Sequence, residues 1–73
     1  PNPLVNRGIV YYTKKGKFDE AVADFDHALK LNPKEINALV NRGVTWRQKN
    51  DPDRAIQDFT EAIRLGLQTA DIL

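Results

Sequence analysis

Cysteine is absent from the 73 residues, which removes disulfide frameworks, thiol nucleophiles and cysteine-based zinc sites together. Histidine occurs once, as His27, so neither a metal cluster nor a histidine-assisted nucleophile has partners. No glycine-rich phosphate loop occurs, because the four glycines stand at expected helix ends or packing points. Asp24 and Asp26 are two apart on an expected helix and do not face each other, which argues against a carboxylate pair. No apolar run approaches the ~20 residues of a membrane span, and no signal peptide is visible. An excess of either charge is also lacking. Eleven basic and ten acidic residues leave a net charge of +1, with no bias towards nucleic acid or a membrane surface. The densest basic cluster, Lys14, Lys15 and Lys17 around Gly16, reads as a solvated turn. The expectation is a chain that is not an enzyme, with no cofactor and no metal, and with the cytoplasm as its default location. Methionine is absent too. A chain that opens Pro1-Asn2-Pro3 without it is expected to be excised from something longer, or processed.

What is present is a repeat. The second half overlays on the first at a shift of 34 positions: Asp19 on Asp53, Ala21 on Ala55, Asp24 on Asp58, Phe25 on Phe59, Ala28 on Ala62 and Leu31 on Leu65. An earlier block overlays at 35, with Leu4-Val5-Asn6-Arg7-Gly8 on Leu39-Val40-Asn41-Arg42-Gly43. The first repeat therefore carries one extra residue between Gly8 and Gly16, near Thr13-Lys14-Lys15.

Local signals divide each repeat into two helices. Asn2 is placed to cap a helix whose first turn holds Pro3, running to about Lys15, where Gly16 supplies a left-handed close. A second helix is expected from about Asp19 to Leu31, stopped by Asn32-Pro33. A third spans roughly 34–49 and is closed by Asn50. Asp51 then caps a fourth, with Pro52 in its first turn and Gly66 closing it. Apolar residues recur at helical spacing, as in Val22, Phe25, Leu29 and in Ile56, Phe59, Ile63. Strand alternation is missing, so the fold class is all-α: tandem antiparallel helical hairpins.

Gly8, Ala21 and Ala28, with Gly43, Ala55 and Ala62, stand where paired helices approach closely, and Phe25 and Phe59 are the knobs that fill the adjoining space. Tyr11 and Trp46 hold equivalent places on the first helices. Small and large residues in this order resemble the tetratricopeptide repeat over nearly the whole chain, through Gly8, Tyr11, Ala21, Phe25, Ala28, Pro33, then Gly43, Trp46, Ala55, Phe59, Ala62. The resemblance implies an α-solenoid, a fragment of a right-handed superhelix. Repeat one covers about 2–35 and repeat two about 36–69, and a third opens at 70–73. Three departures stand out. The first repeat has its extra residue, Arg7 and Arg42 replace the usual Leu, and Leu67 replaces the closing Pro. Each arginine recurs with an aspartate, Arg7 with Asp24 and Arg42 with Asp58, which predicts an ion pair across each hairpin rather than a row of anion-binding arginines.

Tetratricopeptide arrays line a concave groove with the first helix of each repeat. The resemblance places Asn37, Val40, Asn41, Val44, Arg47 and Gln48 there from the second repeat, on one helical face. From the first it places Asn2, Val5, Asn6, Ile9 and Tyr12. Val5, Ile9, Val40 and Val44 are the expected apolar floor. Asn6 and Asn41 are the central candidates, because an amide both donates to and accepts from a peptide backbone. The pair is similar to the asparagine ladder of the O-GlcNAc transferase superhelix, carried over to these two positions alone; each Asn could equally bond a neighbouring helix. The carboxylate clamp that grips chaperone tails needs a Lys and an Asn where this chain has Val5 and Ile9, so that ligand is not expected. Pentatricopeptide RNA binders share a similar period, but the small-large pattern and the neutral charge favour a protein partner.

The expected function is an interaction scaffold binding a peptide or partner segment in this groove, without nucleic acid or membrane. The alternative is a self-assembling module whose uncapped ends stack head-to-tail or exchange hairpins. Its candidate contacts are Leu65, Leu67, Ile72 and Leu73.

Overall fold

In the computed structural model, which describes residues 2–14 and 16–72 with side chains as far as residue 66, the chain starts its first helix through a local bond. Asn2 Oδ1 accepts the Leu4 N–H at 3.0 Å, and Pro3 takes the first helical position, where a missing N–H leaves nothing unsatisfied. The helices are α1 (Pro3–Lys14), α2 (Phe18–Leu31), α3 (Ile36–Gln48) and α4 (Pro52–Ile72). α1 packs on α2, α2 on α3 and α3 on α4, and α1 also touches α3.

The turns explain where each helix ends. Asn50 has φ 64°, and the Asn50 and Asp51 N–H groups return to the Arg47 and Trp46 carbonyls at 3.0 and 2.9 Å. This closes α3 with paired bonds around a left-handed residue. Asp51 then turns to the next helix, its Oδ1 accepting the Arg54 N–H at 3.2 Å. In the first hairpin Gly16 takes the left-handed place, at φ 62°. The Lys17 N–H reaches the Tyr11 carbonyl at 2.9 Å, and Tyr11 is the counterpart of Trp46. The closing bond survives the additional residue of repeat one.

Three boundaries differ from the sequence expectation. α2 begins at Phe18, without a side-chain cap. α3 begins at Ile36, because Asn32 Oδ1 accepts the Lys34 N–H at 3.1 Å and its carbonyl accepts the Glu35 N–H at 3.1 Å, holding Pro33-Lys34 in a turn. Gly66 does not close α4, which runs on to Ile72. Gly66 lacks the positive φ of Gly16, and Leu67 has the N–H that Pro33 lacks, so nothing turns the backbone out. Ala70, Asp71 and Ile72, expected to open a third repeat, lie within α4.

The close approach inside each hairpin follows from the glycines. A Cβ on Gly8 would stand 2.6 Å from Phe25 Cε1, and one on Gly43 would stand 2.7 Å from Phe59 Cε1. Phe25 is fully enclosed, in a cluster with Val5, Ala21, Ala28 and Ala38. Ala38 belongs to repeat two, so this core crosses the repeat boundary. A second cluster joins Leu39, Ala62 and Leu65. Each hairpin is also tied by the expected ion pair. Arg7 Nε and Nη2 both donate to Asp24 at 2.8 Å. Arg42 Nε and Nη2 donate to Asp58 at 2.8 and 2.7 Å. These two-pronged bonds, to carboxylates of residues only 6% exposed, hold both guanidinium pKa values above the ordinary arginine range.

Candidate protein-binding groove

α1 and α3 lie side by side, and the polar contact between their candidate residues runs through Tyr12 and Asn41. The Tyr12 hydroxyl donates to Asn41 Oδ1 at 2.7 Å, while Asn41 Nδ2 donates to the Asn37 carbonyl at 2.7 Å. Burial raises the Tyr12 pKa above its ordinary value, so its hydroxyl stays a donor. Asn41 thus links the repeats and keeps one amide hydrogen and one oxygen lone pair for a ligand. Asn6, its counterpart, is exposed, and its side chain has no hydrogen-bond partner among the described residues.

The apolar candidates divide by burial. Val5 is 4% exposed and packs in the core, so it offers a ligand little surface. Ile9 and Val44 are half-buried, and Val40 is 38% exposed. Asn37, Arg47 and Gln48 are exposed. An open cleft of about 500 Å³ brings together Asn2, Val5, Asn6 and Asn37 with Pro3, Asn32 and Glu35. Asn32 and Glu35 were not among the residues expected from sequence. Their signal was present in the Asn-Pro stop, which reads as punctuation until the turn is seen to lie beside the N-termini of α1 and α3. Among the described residues the cleft is lined mainly by amides, with Glu35 as the one charged residue. Val40, Val44, Arg47 and Gln48 do not line it.

The expected self-association residues fare differently. Leu65 is 6% exposed and packs with Leu39 and Ala62 inside the chain. The side chains of Leu67 and Ile72, and all of Leu73, lie outside the described residues. Among the described residues, the exposed large apolar side chains of α4 are Ile56 and Ile63, each 61% exposed. Helical periodicity marks them as core, since their counterparts are Val22, 9% exposed, and the half-buried Leu29. α3 covers α2 on that face, and among the described residues α4 contacts α3 alone.

Paired helices closed by glycine-against-phenylalanine contacts, repeated once along the chain, define a tandem helical-hairpin protein. Residues 11–48 match the family model described as TPR repeat, and residues 36–65 match that described as Tetratricopeptide repeat. The chain belongs to the tetratricopeptide repeat family, whose repeats form protein–protein interaction modules and are generally not enzymes. It is 39% identical over 50 residues to Tetratricopeptide repeat protein 36 of Caenorhabditis elegans, covering 68% of this chain and 28% of that protein. To Superkiller complex protein 3 of Homo sapiens it is 34% identical over 62 residues, covering 85% of this chain and 4% of the other. A probable UDP-N-acetylglucosamine–peptide N-acetylglucosaminyltransferase SPINDLY of Solanum lycopersicum is 30% identical over 56 residues, 77% of this chain and 6% of that protein. The chain spans less than a third of the length of each of these relatives. No helix among the described residues is long and apolar enough to cross a membrane.

Proposed function

We propose that the repeat pair captures an extended peptide segment of a protein partner along the α1–α3 face, anchored at the asparagine-lined cleft. The observation that carries this reading is the exposed Asn6 amide, without a partner among the described residues, beside Asn2, Asn32 and Asn37. An extended backbone presents alternating N–H and C=O groups, and amides answer both without demanding a side-chain sequence. Ile9, Val40 and Val44 supply apolar shape along the rest of the face. Asn41 serves twice, as the bonded link to Tyr12 and through its remaining donor and lone pair. The test is peptide-library selection on the 73-residue chain, followed by titration of selected peptides against Asn6→Ala and Asn37→Ala. Each substitution is expected to weaken binding about tenfold, the worth of one hydrogen bond within a desolvated contact. Affinities unchanged in both variants would remove the groove reading.

A second reading, self-association through the end of the array, is favoured by one observation: Ile56 and Ile63 stand exposed on one face of α4. Buried apolar area, rather than amide contacts, would drive it.

A further inference from the structure

We infer that the open face of α4 receives α1 of a second copy of this chain, in the geometry by which α2 receives α3 within the chain. The inference rests on the self-association reading and gives it an interface. Within the chain, α2 carries Val22, Asp26 and Leu29 on one helical face, at spacings of four and three residues, and of these Asp26 and Leu29 meet α3 residues. Arg42 of α3 donates through Nη1 to Asp26 at 2.6 Å, Lys49 pairs with Asp19, and Tyr12 donates to Asn41.

Each of these contacts has an unfilled counterpart, half of it at one end of the molecule and half at the other. On α4 the same face carries Ile56, Thr60 and Ile63, with Asp53 in the place of Asp19. On α1 Leu4 stands in the place of Leu39, Arg7 in that of Arg42, and Lys14 in that of Lys49. Lys14 and Asp53 are exposed, and neither has an ion-pair partner among the described residues. The Arg7 side chain is 60% exposed against 23% for Arg42, and its Nη1 lacks the second carboxylate that Arg42 has in Asp26. The Thr60 hydroxyl can accept that hydrogen without adding charge.

The polar link across the first helices also transposes. Arg47 takes the place of Tyr12 and brings N–H donors, while the free amide oxygen of Asn6 takes the place of Asn41 Oδ1. The two ends therefore complement each other in apolar area, charge sign and hydrogen-bond polarity. Burying Ile56 and Ile63 supplies the drive, and Lys14 with Asp53 sets the register. The contact joins unlike surfaces, so every added copy leaves one of each free and the assembly does not close at a dimer. Stacking would also continue the α1–α3 face from one copy into the next.

Sedimentation equilibrium of the 73-residue chain from micromolar to millimolar concentration tests this, with circular dichroism confirming that each variant stays helical. The weight-average mass is expected to climb past the dimer as concentration rises. Ile56→Lys with Ile63→Lys should hold the chain monomeric, and these exposed positions can change without disturbing the fold. Asp53→Lys and Lys14→Asp should each weaken association roughly threefold, as expected of one ion pair at a solvent edge, and together in one chain they should restore it. A monomer at all concentrations overturns both the self-association reading and this interface. Growth indifferent to the α4 substitutions leaves self-association standing and overturns the interface. A plateau at the dimer overturns the head-to-tail geometry.

Discussion

Gly8 and Gly43 hold equivalent places, yet the space around them differs in one respect that governs how each tolerates a methyl group. Phe25, opposite Gly8, is fully enclosed, whereas Phe59, opposite Gly43, is only half-buried. Gly8→Ala forces an enclosed ring to move and is expected to cost about 2 kcal/mol, more than the helix propensity of alanine returns. Gly43→Ala lets Phe59 turn towards solvent and should cost less than half as much; urea denaturation of both variants measures the difference. Asp58 anchors Arg42 from a position 6% exposed, so Asp58→Ala leaves a half-buried guanidinium one carboxylate short. A loss of about 2 kcal/mol is expected, and an unchanged denaturation midpoint would show the pair to be idle. Tyr12 gives a pH dependence. Burial raises its folded pKa above the ordinary 10.0; the unfolded phenol therefore ionises first. The stabilisation is complete below about pH 10 and is lost as pH climbs through the unfolded value towards the folded one. The stability difference between the chain and Tyr12→Phe should shrink across that window.

At the scale of helices and turns, most of the architecture could be read before any coordinates. Asn2 with Pro3, Asp51 with Pro52, and the left-handed Gly16 and Asn50 each announce a helix end by a local mechanism. Those signals act within a few residues and survive translation into structure. Gly66 misleads because glycine permits a left-handed close without requiring one; the requirement at Asn32 comes from Pro33, and Leu67 imposes none. Gly66→Ala is accordingly expected to stabilise the chain by about 0.5–1 kcal/mol, since a Cβ there meets nothing within 4 Å among the described residues. A thermal midpoint lowered by that substitution would contradict the continuous helix. Phe18 and Ile36 were harder to place as first residues because neither helix has a side-chain cap.

For the whole molecule, 38 × 26 × 19 Å in extent, the two repeats share a core rather than abut. Ala38 packs at 0% exposure among repeat-one residues, and Ala38→Leu should cost about 1–3 kcal/mol by overpacking. Amide exchange is expected to accelerate in α2 and α3 together; acceleration confined to α3 would mean the repeats open independently. The candidate site was legible in part. Asn6, Asn37 and the Arg–Asp pairs follow from the repeat, but periodicity reports which face is apolar and not what covers it. Hence Val5 reads as groove floor but belongs mostly to the core, meeting the cleft with only its edge, while Ile56 and Ile63 read as core and face water. Asn32 and Glu35 join the cleft through a turn whose position beside α1 depends on tertiary packing alone.

The sole tryptophan sits under two cations. Arg54 lies 4.8 Å from the centre of the Trp46 ring, and Lys49 lies 5.6 Å from it. They come from the α3–α4 turn and the opening of α4, and the first hairpin has both tyrosines and no tryptophan. The protein thus carries an optical label on one repeat only: indole emission reports the second hairpin, tyrosine emission is weighted to the first, and any lag between the two signals times the order in which the halves come apart.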